Sequence, residues 1–303
     1  MKSLFFAAAL AVSGAAAQAA TLSASETLEQ FVLVTEGDLT GNSVHVHGRS
    51  LIGGDLSTDN WSDFFNVNAD EWPKIGASVF AELIVAGNAT SSFNVNQGGD
   101  LAVAGAISGT FNLNDGGSQV AFDAPENYWI QMEAMSADLS AAAASASAIT
   151  LVKNAENKLA INAGGVYTIS ATELAGVGGI SYGFAPDETV IINVTGDAAV
   201  LSANMEGTDK GLAQNVIWNF ESTNTVTLNA SIFGTVVATD AKVTFHSDIE
   251  GSLIASLVDA NAQIHVQTFL GELPEIGQVP LPAALPLLLA GLGVFGAVAR
   301  RKS

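Results

Sequence analysis

The feature that most constrains this chain is a repeat. Val85-Ala86-Gly87-Asn88-Ala89-Thr90-Ser91-Ser92-Phe93-Asn94-Val95-Asn96-Gln97-Gly98-Gly99 returns 18 residues later as Val103-Ala104-Gly105-Ala106-Ile107-Ser108-Gly109-Thr110-Phe111-Asn112-Leu113-Asn114-Asp115-Gly116-Gly117. An earlier copy opens Ile52-Gly53-Gly54-Asp55-Leu56 and closes Phe65-Asn66-Val67-Asn68, and a looser one runs from Glu36-Gly37-Asp38-Leu39 to Val44-His45-Val46-His47-Gly48. Each copy holds short β-branched or aromatic segments separated by Gly, Asn and Asp, the marks of strands and turns. A unit this small cannot bury a core alone, but stacked on its neighbours it can. The pattern predicts a mainly β fold, a parallel β-solenoid (β-helix), with Phe93 over Phe111 and Val95 over Leu113 in one interior column. No apolar residue recurs at every sixth position, which disfavours the hexapeptide left-handed form.

In such a stack Asn94, Asn96, Asn112 and Asn114 flank an inward residue and point outward. They would form two asparagine ladders, which stacked amides support by hydrogen-bonding along the axis. The functional alternative is a regular polar face that engages a polysaccharide, another protomer or ice. After the repeats, Asp123 and Glu126 form a capping-box-like pair around Pro125, and apolar residues recur at Tyr128, Met132, Met135, Leu139 and Ala143. This spacing predicts one amphipathic helix over about 123–148, lying on a flank of the solenoid or covering one end. Strand patterns return at 166–169, 189–194, 216–220 and 225–228. Ile232-Phe233-Gly234-Thr235-Val236-Val237-Ala238 is echoed 17 residues later from Ile249 to Ala255, and Lys242-Val243-Thr244-Phe245 by Gln263-Ile264-His265-Val266. No Pro- or Ser-rich linker separates the halves, so 20–278 reads as one domain.

The two ends carry addresses. Lys2, an apolar run and Ala17-Gln18-Ala19 make a secretory signal over 1–19, cut after the small residues Ala17 and Ala19. At the other end, Val279-Pro280-Leu281-Pro282-Ala283 leads into an apolar run closed by Arg300, Arg301 and Lys302. Residues 283–299 span roughly 25 Å as a helix, at the short end for crossing a bilayer, with the basic stop on the cytoplasmic side. Six of the ten Lys and Arg and all thirty Asp and Glu lie in 20–278, a formal charge of −24. Such a body excludes nucleic acid as a partner and suits a soluble extracellular protein. The absence of cysteine excludes disulfides and thiol chemistry, so stability must come from a large core.

Residues 279–303 resemble the VPLPA-CTERM sorting signal, a relative of the PEP-CTERM signals of Gram-negative bacteria. That resemblance implies an exosortase-type enzyme as a transient partner, delivery to the cell surface or extracellular matrix, and a C-terminal inner-membrane helix before processing. The body carries Gly37-Asp38-Leu39, Gly53-Gly54-Asp55, Val190-Ile191-Ile192-Asn193-Val194-Thr195-Gly196, Asn215-Val216-Ile217-Trp218-Asn219-Phe220, Gly234-Thr235-Val236-Val237-Ala238 and Phe269-Leu270-Gly271-Glu272-Leu273-Pro274. In that order, over about 27–274, they resemble the choice-of-anchor A domain, a bacterial surface adhesin module. The resemblance implies a β-helical adhesive role with no catalytic site to carry over.

Catalytic and metal motifs are weak. Gly179-Ile180-Ser181-Tyr182-Gly183 has the letters of a nucleophile elbow, but its flanks read as a Gly-rich turn without the strand and helix that an elbow needs. His45 and His47 share a strand face with no third ligand at clear spacing, and no calcium loop occurs. The expectation is therefore an adhesin without cofactor, metal or catalytic residues, whose ligand is an extracellular polysaccharide or a surface protein. A β-helical carbohydrate-active enzyme is the alternative. Ice binding is the third reading, against which Thr223-Asn224-Thr225-Val226-Thr227 stands alone as a Thr-x-Thr run.

Overall fold

Strands of three or four residues survive only if each is held by a neighbour above and below, and here almost every one is. The computed structural model describes residues 21–67, 77–144 and 148–273. Its strands pair in parallel throughout, and the chain winds round three faces. One rung runs Leu33–Thr35 on the first face, Leu39–Gly41 on the second and His45–Val46 on the third, before Ser50–Ile52 begins the next. The expected columns are present: Phe93 pairs with Phe111 and Val95 with Leu113, and the two rings stack at 5.9 Å.

The rungs do not stack in chain order. On the first face the order is Ile149–Thr150, Gly165–Ser170, Val190–Thr195, Val216–Asn219, residues 235–238, residues 253–255, Leu33–Thr35, Ser50–Ile52, Leu83–Val85, Leu101–Val103. The first rung therefore lies in the middle of the stack, pairing with Ser50–Ile52 on one side and with residues 253–255 on the other. The same seam recurs on the second face, where Leu39–Gly41 meets residues 258–260, and on the third, where His45 and Val46 meet Gln263 and Ile264. The N-terminal rungs build outward to one end, and the C-terminal rungs start at the other and build back.

A helix bridges the gap. α1 (Ala24–Gln30) opens with a capping box in which Ser23 and Glu26 satisfy each other's backbone N–H groups. The Ser23 backbone N–H and the Ser23 hydroxyl both donate to the Glu26 carboxylate and hold it below its ordinary pKa. α2 (Tyr128–Ala143) lies along the first face. Its Tyr128 hydroxyl donates to the Thr35 carbonyl in the middle of the stack, while Ser136 and Ser140 reach Asn219 and Asn193 toward the far end. The first face is thus buried on both sides, which is why Val190-Ile191-Ile192-Asn193-Val194 is a continuous buried run. Inward residues of the three faces make one core, and Leu28, Val34, Ile84, Met132, Met135, Ile191, Ile217 and Ile254 make a second beneath the helices.

Several sequence expectations need correction. The helix starts at Tyr128 and not near 123, because Asn127 takes a left-handed conformation with φ of 58° and makes no cap bond. It lies on the flank and covers neither end. In the first long copy Asp63, and not Asn66, pairs with Asn94, since the insertion falls after the strand Ser62–Phe64. Lys242–Phe245 pairs with residues 257–260 on the second face, whereas Gln263–His265 belongs to the third. Gly179–Tyr182 is a strand between Lys158–Ile161 and Asn204–Met205, so the Gly-x-Ser-x-Gly string is neither a turn nor an elbow. The signal segment with Ala17 and Ala19, the sorting motif 279–283, the apolar run 283–299 and the basic stop all lie outside the described residues.

Candidate functional site

The asparagine ladders form as the spacing predicts. The Asn112 amide donates to Asn94 Oδ1 at 2.8 Å, and Asn114 donates to Asn96 Oδ1 at 2.7 Å. Both ladders end on Asp63, whose Oδ1 accepts from Asn94 at 2.8 Å and from Asn96 at 3.4 Å. Each amide therefore gives one hydrogen to the neighbouring rung's amide or to a carboxylate, which ties rung to rung. Further along the same face His45 Nδ1 lies 3.2 Å from Asp63 Oδ2, and His265 Nε2 lies 3.6 Å from Asp248. His47 is buried, with its ring 4.5 Å from that of His265. The two distant histidines are neighbours because of the seam. Among the described residues no group of three or more acidic or His side chains is placed to hold a metal.

The corner between the first and second faces explains the Gly-Asp-Leu pattern. Asp38 Oδ1 accepts from the Asp55 backbone N–H at 2.8 Å, Asp55 Oδ1 from that of Asn88, and Asn88 Oδ1 from that of Ala106 at 2.9 Å. Each side chain thus satisfies the next rung's free donor. Room for it requires glycine: a Cβ on Gly54 would sit 2.3 Å from Asp38 Oδ1, and one on Gly87 2.2 Å from Asp55 Oδ1. This motif is structural.

The second face holds a feature that sequence reasoning missed. Register places Val200, Thr227, Thr244, Asp259, Thr40, Ser57, Thr90 and Ser108 in one outward column. Six of its eight members carry a hydroxyl, and all are exposed or half-buried. At a rung spacing of about 4.8 Å the column runs roughly 34 Å. Thr40 and Thr90 donate to carbonyls of adjacent rungs at 3.0 and 3.3 Å, which fixes their rotamers while leaving the oxygens able to accept. Lys242 and Asp259, 3.1 Å apart, place one ion pair mid-face. The column takes one residue from each of eight rungs that are separate in the sequence, so no run of Thr-x-Thr announces it. The visible traces were Thr225-Val226-Thr227-Leu228 and Lys242-Val243-Thr244-Phe245.

A polar cleft opens on the third face where the strand ladder breaks between Asn204–Met205 and Ile232–Phe233. It measures about 460 Å³ and is lined by Lys210, Asp248 and Glu250. Lys210 is ion-paired to the buried Glu250 and sits 5.8 Å from the Phe233 ring centroid. Both of these carboxylates are engaged, Glu250 by Lys210 and Asp248 by His265 and the Gln263 backbone.

A family model described as "Putative Ice-binding-like adhesive domain" matches residues 24–266. The chain belongs to the ice-binding-like adhesive domain family. A second model, the PEP-CTERM protein-sorting motif, matches residues 278–302, directly behind the adhesive domain. The two together mark an exported, surface-associated protein that an exosortase-type enzyme processes. No curated protein matches the chain. Among solved structures it is similar to an ice-binding protein from an Antarctic biological consortium, at 14% identity and a TM-score of 0.35, covering 84% of this chain and 93% of that one. It is also similar to an ice-binding protein from the Antarctic ascomycete Antarctomyces psychrotrophicus, at 15% identity and a TM-score of 0.34, covering 82% and 98%. A third, from an Antarctic Flavobacteriaceae bacterium, gives 12% identity and a TM-score of 0.27, covering 84% and 81%.

Proposed function

We propose that this protein is a non-catalytic surface adhesin that grips an extended, polyhydroxylated extracellular polymer with its hydroxyl face. The observation that carries this reading is the column of Thr and Ser on the second face. A polysaccharide offers hydroxyls at short regular intervals, and the column meets them with Thr40 and Thr90 as oriented acceptors and its other hydroxyls as donors or acceptors.

The exit of the chain supports the same reading. Before the sorting motif, the backbone is tied down where Leu270 N–H donates to the Gln214 carbonyl at 2.7 Å and Glu272 N–H to Thr189 Oγ1 at 2.8 Å. Thr189 and Gln214 precede first-face strands, at the corner between the third and first faces. That corner lies opposite the second face. Only five residues separate residue 273 from Val279, a reach of roughly 20 Å. A domain held there turns its hydroxyl face away from the surface that carries it.

The family description and the same column favour ice as a second reading. The Lys242–Asp259 pair within the face is strongly hydrated, which suits a sugar polymer better than an ordered water layer. Ser57→Arg with Thr90→Arg tests the site, since both positions are exposed neighbours in the column. Retention of the processed protein on matrix polysaccharide should fall roughly tenfold or more, about 1.4 kcal/mol, with the melting temperature unchanged. Asn112→Ser with Asn114→Ser should leave binding intact. Loss with the asparagine variant alone would overturn the assignment, ice growth inhibition without polysaccharide retention would select the second reading, and new reducing ends would mean an enzyme.

A further inference from the structure

The two ends of the solenoid differ. At one, the inward residues Leu151, Leu159, Ile161 and Leu201 are buried, and α3 (Ala171–Ala175) adds the buried Leu174 against Ala198–Leu201. At the other, Val103, Ile107, Phe111 and Leu113 pack on the core yet stay only half-buried. Residues 118–120 extend the first face by one bridge beyond Leu101, but Phe111–Leu113 is the free edge of the third face. An edge strand presents unpaired N–H and C=O groups, and proteins usually blunt it with Lys, Pro or a bulge. Residues 101–120 contain no Lys, no Arg and no Pro, and one acid, Asp115, in a body of charge −24. At the rim Val79, Val120 and Phe122 are 86%, 39% and 42% exposed, which extends the apolar surface.

What such an end accommodates is another rung. The molecule already contains a joint of this kind. At its internal seam, rungs some 218 residues apart in sequence stack on all three faces without chain continuity between them. The opposite end of a second copy also has edge strands, but its inward residues are buried, α3 packs on its second face, and Lys153 and Lys158 lie at those strands. The free apolar partner surface is therefore the identical open end. We propose that two copies of this chain join end to end through this rung, Phe111–Leu113 of one pairing antiparallel with Phe111–Leu113 of the other. The two-fold axis that relates identical edges sets Asn112 opposite Asn112 of the second copy. One rung is a small surface, in the weak class below about 1,200 Å². The pairing therefore takes hold where neighbours are concentrated on a surface, and it doubles the length of the domain.

The test exploits a chain with no cysteine. Directly opposed Cβ atoms in an antiparallel pair lie about 4.5–5.5 Å apart, near enough for a disulfide after a small adjustment. In the processed protein recovered from the exporting cell, Asn112→Cys should form a covalent dimer on mild oxidation roughly tenfold or more faster than Ser57→Cys, which lies mid-column on the hydroxyl face. Adding Leu113→Lys to the Asn112→Cys chain should remove that advantage while the thermal melt confirms the fold. Equal rates for the two single cysteines would overturn the proposal. So would rapid dimerisation that survives Leu113→Lys in a folded chain.

Discussion

Asn219→Ala should be among the most damaging single changes in this protein, although it removes only a small amide. Asn219 is fully buried between Trp218 and Phe220 on the first face, facing α2. Its Oδ1 accepts from the Ser136 hydroxyl at 2.7 Å. Its Nδ2 approaches the Ser136 carbonyl at 2.9 Å, Ser140 Oγ at 3.0 Å and Asn193 Oδ1 at 2.8 Å. Asn193 in turn donates to the Leu139 carbonyl at 3.1 Å. The amide has two hydrogens for three acceptors, so about three hydrogen bonds are lost, each worth roughly 1 kcal/mol net, and the Ser136 hydroxyl is left buried without its acceptor at a further ~1 kcal/mol or more. The expected loss is about 3–5 kcal/mol, in the range reserved for broken buried networks. Urea unfolding gives the number, and amide exchange along α2 should rise with it. A double-mutant cycle with Ser136→Ala should show coupling of about 1 kcal/mol or more. A loss below about 1 kcal/mol for Asn219→Ala would refute the claim that this network holds the helix to the sheet.

Three further outcomes are expected. Gly87→Ala should cost about 1–3 kcal/mol by denaturant melt because its Cβ would lie 2.6 Å from Gly54 backbone, whereas Gly178→Ala, whose nearest contact is 3.7 Å, should be near neutral. All three tyrosines are held protonated above their ordinary range, Tyr128 to about 12 by burial and then Glu36, Tyr167 by burial and then Glu188, and Tyr182 by complete burial. The native state then keeps protons that the unfolded chain gives up, so stability should be whole below about pH 10 and fall as pH rises toward 12, as a pH series of melts will show. Mass spectrometry of the exported protein should find a C-terminus short of Ser303, since the sorting motif at 278–302 directs processing. A mature chain that still ends at Ser303 would mean a retained tail.

Much of the fold was legible because its contacts are local in a particular sense. Within the repeats each residue meets its equivalent 18 positions away, so Phe93 over Phe111 and the Asn94–Asn112 ladder are written as periodicity. The buried run at Val190 and the Asn219 motif were equally visible, but their purpose was not. Both asparagines exist to bind a helix whose position along the flank no sequence spacing encodes. The Ser23–Glu26 capping box was present in the sequence and went unread, while Asp123 and Glu126 mimicked one that the left-handed Asn127 prevents.

By itself, then, the sequence determined the rung, the ladders and the C-terminal sorting motif, because each depends on residues adjacent in the chain or one repeat apart. Tertiary structure alone decided the order of the rungs. Leu33–Thr35 could pair with its own repeat on one side, but its other edge needed a partner that only α2, by carrying the chain to the far end, brings back at residues 253–255. That seam sets Thr40 beside Asp259, whose other neighbour is Thr244, and so joins the two halves of the hydroxyl face. It also leaves Phe111–Leu113 as the open edge. Backbone hydrogen bonds close such a joint whatever the side chains, so its register leaves no repeat in the sequence to be read.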